Sequence, residues 1–243
     1  MTLTGLGIGL LYGAFGAGGS AFATPVLALL GVPPAVAVAS PLPATLPAAL
    51  AGAVSYVRSG QLDWRVFRRA VAGGLPAAVL GALVSRVVSG PALLVLSGVM
   101  VAVIGLRMAR PLAADEGTTL FGGAPSTAVV VGISTLVGFA TGLLANSGGF
   151  LLVPFFVIVL GLGMRRAAGT SLVTAAALSV PTLITHWALG HIDWTVTASF
   201  ALGLVPAAAL SRRLAQRVPG RSTQRAFGIA LVAFALWFLV RQL

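Results

Sequence analysis

Proton, metal or nucleophilic chemistry in this chain would have to come from four acids, two histidines and no cysteine. The acids are Asp63, Asp115, Glu116 and Asp193, all outside the long apolar runs, and the histidines are His186 and His191. Catalysis needs a nucleophile, an acid–base pair or a metal cluster gathered at one place. The spacing suggests none, so no enzymatic activity, metal or cofactor is expected, and the lack of cysteine removes thiolate and disulfide chemistry. The other groups able to act on a ligand belong to the backbone. Gly13-Ala-Phe-Gly16-Ala-Gly18-Gly19-Ser20 breaks one apolar run, and Leu143-Leu-Ala-Asn146-Ser147-Gly148-Gly149-Phe150 breaks another, 130 residues later (148 − 18). Each glycine costs a helix about 1 kcal/mol, while Ser20 and Asn146 or Ser147 can cap the helix that resumes. A buried helix N-terminus with unpaired N–H groups and a positive dipole end is an anion site. The chemistry expected is reversible binding of a small anion at Gly18, Gly19 and Ser20 and at Asn146, Ser147, Gly148 and Gly149.

The elements that must hold these breaks are membrane helices. Of 243 residues, 58% are hydrophobic and only 8% charged, with a mean hydropathy of +1.05, whereas soluble domains are about a quarter charged. Uncharged runs cover 2–57, 70–85, 87–106, 117–164, 167–192 and 194–211. Crossing about 30 Å of hydrocarbon takes about 20 apolar residues, so the longest run could cross twice. The runs do not alternate in polarity as barrel strands do, and no basic segment precedes the first run, so a cleaved signal peptide is not expected. All fifteen basic residues are Arg, and the net charge is +11. They stand at segment ends, which reads as topogenic charge at lipid headgroups rather than as a nucleic-acid surface.

The 130-residue offset extends far beyond the glycines. Gly31 matches Gly161, Gly60 matches Gly190, Asp63-Trp64 matches Asp193-Trp194, Gly73 matches Gly203, and Leu75-Pro76 matches Val205-Pro206. Each copy reads as a broken segment (about 3–31 and 126–162) followed by three helices, at 37–57, 65–86 and 91–108 and again at 169–188, 194–213 and 222–240. The expected organisation is a first repeat over 1–110, a cytoplasmic linker over 111–125 and a second repeat over 126–243. If each broken segment folds back as a hairpin, the copies are inverted, and thirteen Arg residues share one face against Arg86 and Arg241 on the other. That is the bias of a cytoplasmic face; straight segments would split the Arg about evenly. The expected fold is therefore an all-α integral membrane protein with two inverted-topology repeats of about 120 residues and eight to ten membrane segments. Both termini are then outside the cell membrane and the Arg-rich loops are cytoplasmic.

Prolines and hydroxyls surround the breaks. Pro25 and Pro154 follow them by a few residues, and Pro41 and Pro43 open the next helix; with Gly16 they mark the helix-breaking set. Ser40, Thr45, Thr170, Ser171 and Thr174 either bond back to their own helices or face a ligand beside the breaks. Gly5, Gly9, Gly13, Gly138 and Gly142 make small-residue faces for close helix contact. Asp63 and Asp193 read as helix N-caps followed by interfacial Trp64 and Trp194. His186 lies beside Trp187 at a helix end, an interfacial position from which it could also relay protons.

These features together resemble the sulfite exporter TauE/SafE family of membrane permeases. The residues that carry the resemblance are the Gly-rich break with Pro25-Val26 after it, Gly31-Val-Pro-Pro, the Ser/Thr-bearing helix, Ser59-Gly-Gln-Leu-Asp63-Trp64, and the second break with Pro154-Phe155. The duplicated pattern runs from about residue 5 to 240. Gly18-Gly19-Ser20 and Ser147-Gly148-Gly149 depart mildly from the family's Gly-Gly-Gly-like form. The resemblance implies a cytoplasmic-membrane transporter, an exporter of sulfite, a sulfonate or another small sulfur-containing anion. The expected partners are that anion and membrane lipid, without nucleic acid, and a homo-oligomer stays open. The alternative is a channel or permease for a neutral small molecule, with the breaks as a packed constriction.

Overall fold

A computed structural model describes residues 1–15, 22–109, 126–145, 149–215 and 220–242. Its described residues form eleven helices and no strand. In the first half these are α1 (Thr2–Phe15), α2 (Ala23–Leu29), α3 (Pro34–Ala39), α4 (Pro41–Arg58), α5 (Trp64–Val84) and α6 (Gly90–Ala109). The second half supplies α7 (Thr127–Leu143), α8 (Gly149–Ile158), α9 (Met164–Ala188), α10 (Trp194–Ala215) and α11 (Gly220–Gln242). The matching turns have matching backbones: Gly31 and Gly161 have φ of 81° and 62°, and Gly60 and Gly190 have 67° and 72°. A side chain there would be strained, which explains why glycine stands at all four. The expected single helix over 37–57 is divided at Ser40, whereas its counterpart α9 is continuous over 25 residues. The cause is Pro41 and Pro43, which lack the N–H groups that would bond the carbonyls of Ala37 and Ala39.

Among the described residues three stretches are long and apolar enough to cross a membrane, at 34–58, 64–84 and 166–188. Many large apolar side chains face outward, among them Leu3, Val87, Leu136, Leu202 and Val240. Trp64, Trp187 and Trp194 are also more than half exposed. Such an exterior suits lipid.

The chain divides into two compact units, and neither follows one half of the sequence. One unit comprises 1–45, 87–112 and 190–243, and the other comprises 46–86 and 113–189. Each is built around a helix of one half packed on a helix of the other: α1 on α10 in the first unit, α5 on α7 in the second. Glycine faces make both contacts close. A Cβ at Gly5 would strike the Phe200 carbonyl, one at Gly138 the Gly74 backbone, and one at Gly142 the Ala78 carbonyl. These are the small-residue faces expected from the sequence.

Helix directions can be read from the same contacts. Gly73 faces Val131 and Thr135 while Gly81 faces Phe139 and Leu143, so α5 and α7 run parallel. Gly98 faces Leu239 and Gly105 faces Leu231, so α6 and α11 run antiparallel. Ala49 and Ala53 of α4 pack with Val173 and Ala176 of α9, and Tyr56 lies against Gly169, which makes that pair antiparallel too.

Asp63 and Asp193 cap α5 and α10 as expected: Asp63 Oδ1 accepts from the N–H groups of Arg65 and Val66 at 3.0 Å, and Asp193 Oδ1 from those of Thr195 and Val196 at 2.8 and 3.1 Å. A second pair of bonds joins the halves. The Asp63 N–H donates to Thr170 Oγ1 at 3.0 Å, and the Asp193 N–H donates to Ser40 Oγ at 3.1 Å. The residues of the two bonds correspond by the 130-residue offset (170 − 40 and 193 − 63). One staple is in each compact unit.

Candidate functional site

Gly16, Gly18, Gly19, Ser20, Asn146, Ser147 and Gly148 lie outside the described residues, and the site is built from what flanks them. α1 ends at Phe15, and α2 is preceded by Phe22, whose ring packs edge-on against Phe234 of α11 at 4.9 Å. Pro25 is buried in α2, Pro154 lies within α8, and Pro41 and Pro43 begin α4. At the second break α7 closes at Leu144, and Ala145 follows at φ 44°, the one non-glycine in the left-handed region among the described residues. Holding alanine there costs roughly 1 kcal/mol or more. α8 then begins at Gly149 itself. Residues 144–148 alone therefore separate the carbonyl end of α7 from the N–H end of α8.

The expected ligand-facing hydroxyls divide into three groups. Thr45 bonds back to the Leu42 carbonyl at 3.1 Å, and Thr174 to the Thr170 carbonyl at 2.7 Å. Ser40 and Thr170 accept the Asp193 and Asp63 N–H groups described above. Ser171 Oγ is fully buried without a partner. Thr170 is 16 residues before His186 on α9, roughly 24 Å by helical rise, and α7 reaches the break at the level of His186. Thr170 and Ser171 are thus not gathered with the α7 side of the break; Ser40 and Thr45 share a compact unit with α1 and α2.

Two features were not expected. Ser134 and Thr141, seven apart on α7, are fully buried and their hydroxyls have no partner. Buried hydroxyls without hydrogen bonds are rare, and Ser179, Thr182 and Thr185 on α9 all bond back to their own helix. Hydroxyls at Ser134 and Thr141, two turns apart in a largely apolar, glycine-striped helix, were the available signal. His186, read as interfacial, is instead 1% exposed, and its Nε2 lies 2.8 Å from the Gly142 carbonyl. Successive helical residues point about 100° apart, so Trp187 takes the outward direction and His186 the inward one. A carbonyl only accepts, so Nε2 carries a proton in this bond. No group of three or more metal-ligating residues occurs among the described residues.

The family model for "Sulfite exporter TauE/SafE" matches residues 1–238. A "Probable membrane transporter protein" of Xylella fastidiosa (strain 9a5c) is 29% identical, over 96% of this chain and 92% of that protein. Two proteins of Bacillus subtilis (strain 168) are also similar. "Probable membrane transporter protein YjnA" is 24% identical over 91% of this chain and 92% of its own length. "Probable membrane transporter protein YunE" is 26% identical over 86% and 83%. No solved structure matches. An all-helical, multi-pass membrane protein with a whole-length family match admits a plain conclusion: the chain belongs to the sulfite exporter TauE/SafE family of membrane transporters.

Proposed function

We propose that this transporter moves a small sulfur-containing oxyanion, sulfite or a sulfonate, out across the cytoplasmic membrane, and binds it at the helix breaks. The observation that carries the reading is the second break, where α8 begins at Gly149 directly after five residues of interruption. With ten residues, α8 is about 15 Å long, half the thickness of the hydrocarbon. If its C-terminal end, seven residues before Arg165, is at the headgroups, its N-terminus lies near the midplane. Anion sites of transporters recur at half-helix N-termini of that kind. The backbone N–H groups at Gly148 and Gly149, with Asn146 and Ser147, would hold the anion, and Gly18, Gly19 and Ser20 would serve the first break. Export from a cell that is negative inside runs downhill by about 2.3 kcal/mol per charge per 100 mV. Flux of labelled sulfite into proteoliposomes is expected to follow an imposed potential, to yield to sulfoacetate, and to fall at least about tenfold in Gly148→Leu, where a branched chain fills the anion's place. Flux indifferent to potential and to competing anions would favour the neutral-solute alternative.

Inverted repeats are part of the same proposal. Two helices that share a unit with their own repeat counterparts, α4 with α9 and α6 with α11, run antiparallel to them. Repeats in the same orientation would make both pairs parallel. The absence of cysteine makes the orientation easy to measure. Ser59→Cys and Ala188→Cys end matching helices and are expected to label from opposite sides of the membrane, Ser59 from the cytoplasm. Labelling of both from one side would defeat the inversion.

A further inference from the structure

A hydroxyl inside a helix has a ready partner in the carbonyl four residues back. On α9 Ser179, Thr182 and Thr185 donate to it, at 2.8 Å each, and so spend their protons. Ser134 and Thr141 of α7 and Ser171 of α9 do not: each is 0% exposed, and its oxygen has no partner. The three lie along one seam. A Cβ at Gly74 of α5 would stand 3.0 Å from the Ser134 carbonyl and 3.1 Å from the Leu178 side chain, and His186 of α9 meets the Gly142 carbonyl of α7 at 2.8 Å. Both pairs are 44 residues apart (178 − 134 and 186 − 142), so α7 and α9 run parallel in a fixed register. That register sets Thr141 level with Thr185, and Ser171 level with Thr127 (171 − 44). Val130 and Val137 join the α8 cluster while Gly138 and Gly142 meet α5, so Ser134 and Thr141 fall between those two faces, toward α9. Ser171 shares a face of α9 with Leu178, seven residues on. The unpartnered hydroxyls therefore recur every seven residues, in steps of about 10 Å. Together they span about 20 Å of the roughly 30 Å of hydrocarbon.

We propose that Ser134, Thr141 and Ser171 form a file of hydroxyl donors that hands the transported oxyanion along the seam between α7 and α9. The proposal rests on the oxyanion class given above and on no residue of the breaks. Sulfonate oxygens carry lone pairs and no proton, so they take what these hydroxyls have left to give. A metal cation is poorly served. It needs several oxygens converging on one point, whereas these are about 10 Å apart, and α7, α8 and α9 carry no acid. Single neutral donors hold an anion weakly at each step, and a path of several weak sites is what passage requires. All three hydroxyls are fully buried, so the solute meets them only when the seam parts. α7 is clamped on α5 through backbone at Gly138 and Gly142, while α9 presents the Leu178 side chain at the level of Ser134. A side chain gives way by rotation; a peptide plane does not. In the first half the counterparts of the three are Thr4, Leu11 and Pro41, so the file belongs to the second half.

The chain has no cysteine, so the file can be probed by substitution in the full chain in proteoliposomes. Ser134→Cys, Thr141→Cys and Ser171→Cys would be treated with a thiol reagent that bears a sulfonate, with Ser179→Cys as the buried, back-bonded control. The three are expected to react at least about tenfold faster than the control, and sulfoacetate should slow them. Flux of radiolabelled sulfite should fall about tenfold in Ser134→Ala and in Thr141→Val, the loss of a hydrogen bond to a charged group. Thr141→Ser should restore it, and Ser179→Ala should keep it. Melting separates this role from a structural one. Removing an unpartnered polar group leaves Tm unchanged or higher, whereas removing a hydroxyl that holds the packing lowers it. Wild-type flux in the folded alanine and valine variants, or labelling no faster than in Ser179→Cys, overturns the file and leaves the oxyanion transporter standing. A lowered Tm accompanying the lost flux overturns it as well. Folded wild type that carries neither sulfite nor sulfoacetate overturns the reading on which the file rests. Labelling and flux use different substitutions at each position, so a variant that fails to fold leaves the other to decide.

Discussion

Gly142→Leu is expected to destabilise the protein by about 3 kcal/mol or more, which for a chain of this size lowers Tm by roughly 10 °C. The reason is backbone against backbone. A Cβ at Gly142 would collide with the Ala78 carbonyl of α5, and the same interface is closed again by Gly138 on the Gly74 backbone, by Gly81 on the Phe139 carbonyl and by Gly73 on the Val131 carbonyl. A side chain that meets the end of another side chain can be accommodated by a rotamer change. One that meets a peptide plane moves a helix, and α5 cannot move while its N-terminus is held by Thr170. Against total stabilities of about 5–15 kcal/mol, the loss is severe. Gly132 is on the same helix with nothing near its missing Cβ. Gly132→Ala should therefore be neutral or stabilising by up to about 1 kcal/mol. Thermal melts in detergent of both variants separate packing from mere helix propensity. Equal melting temperatures for the two would mean that the α5–α7 contact does not hold the unit together.

Element boundaries were legible from the sequence because glycine, proline and charge punctuate it. The Asp-Trp starts of α5 and α10 and the left-handed glycines at 31, 60, 161 and 190 fall where the duplicated pattern put them. Helix partners were not legible. α8, Gly149–Ile158, is apolar on every side, and a helix without a polar face does not declare which side is buried. The packing of α1 on α10 and of α5 on α7 could not be read from periodicity either, because the partners lie in different halves. The hydroxyls show the same limit at the scale of single residues. Back-bonding at Thr45 and Thr174 is local and was foreseen as one outcome. The acceptor role of Ser40 depends on a donor 153 residues away in the chain. His186 reads from the sequence as an interfacial residue able at most to relay protons, because its inward direction is set by where α7 ends.

Thr170→Val and Ser40→Ala are each expected to cost about 1–3 kcal/mol, far more than hydroxyl removal at a back-bonded site such as Thr174. The hydroxyl of Thr174 satisfies a carbonyl that its own helix already uses. Thr170 and Ser40 instead accept from the N–H groups of Asp63 and Asp193, which stand ahead of the first turns of α5 and α10 and have no intrahelical acceptor. Valine keeps the shape of threonine and alanine nearly that of serine, so the loss measures the unsatisfied donor rather than a cavity. Each acceptor sits in its own compact unit and they share no bonding partner, so the double variant should lose the sum of the single losses to within about 0.5 kcal/mol. Single losses below about 0.5 kcal/mol would show that water replaces the hydroxyl and that the staples are incidental. A double loss well short of the sum would mean that loosening one unit already loosens the other. The two staples would then act as one device.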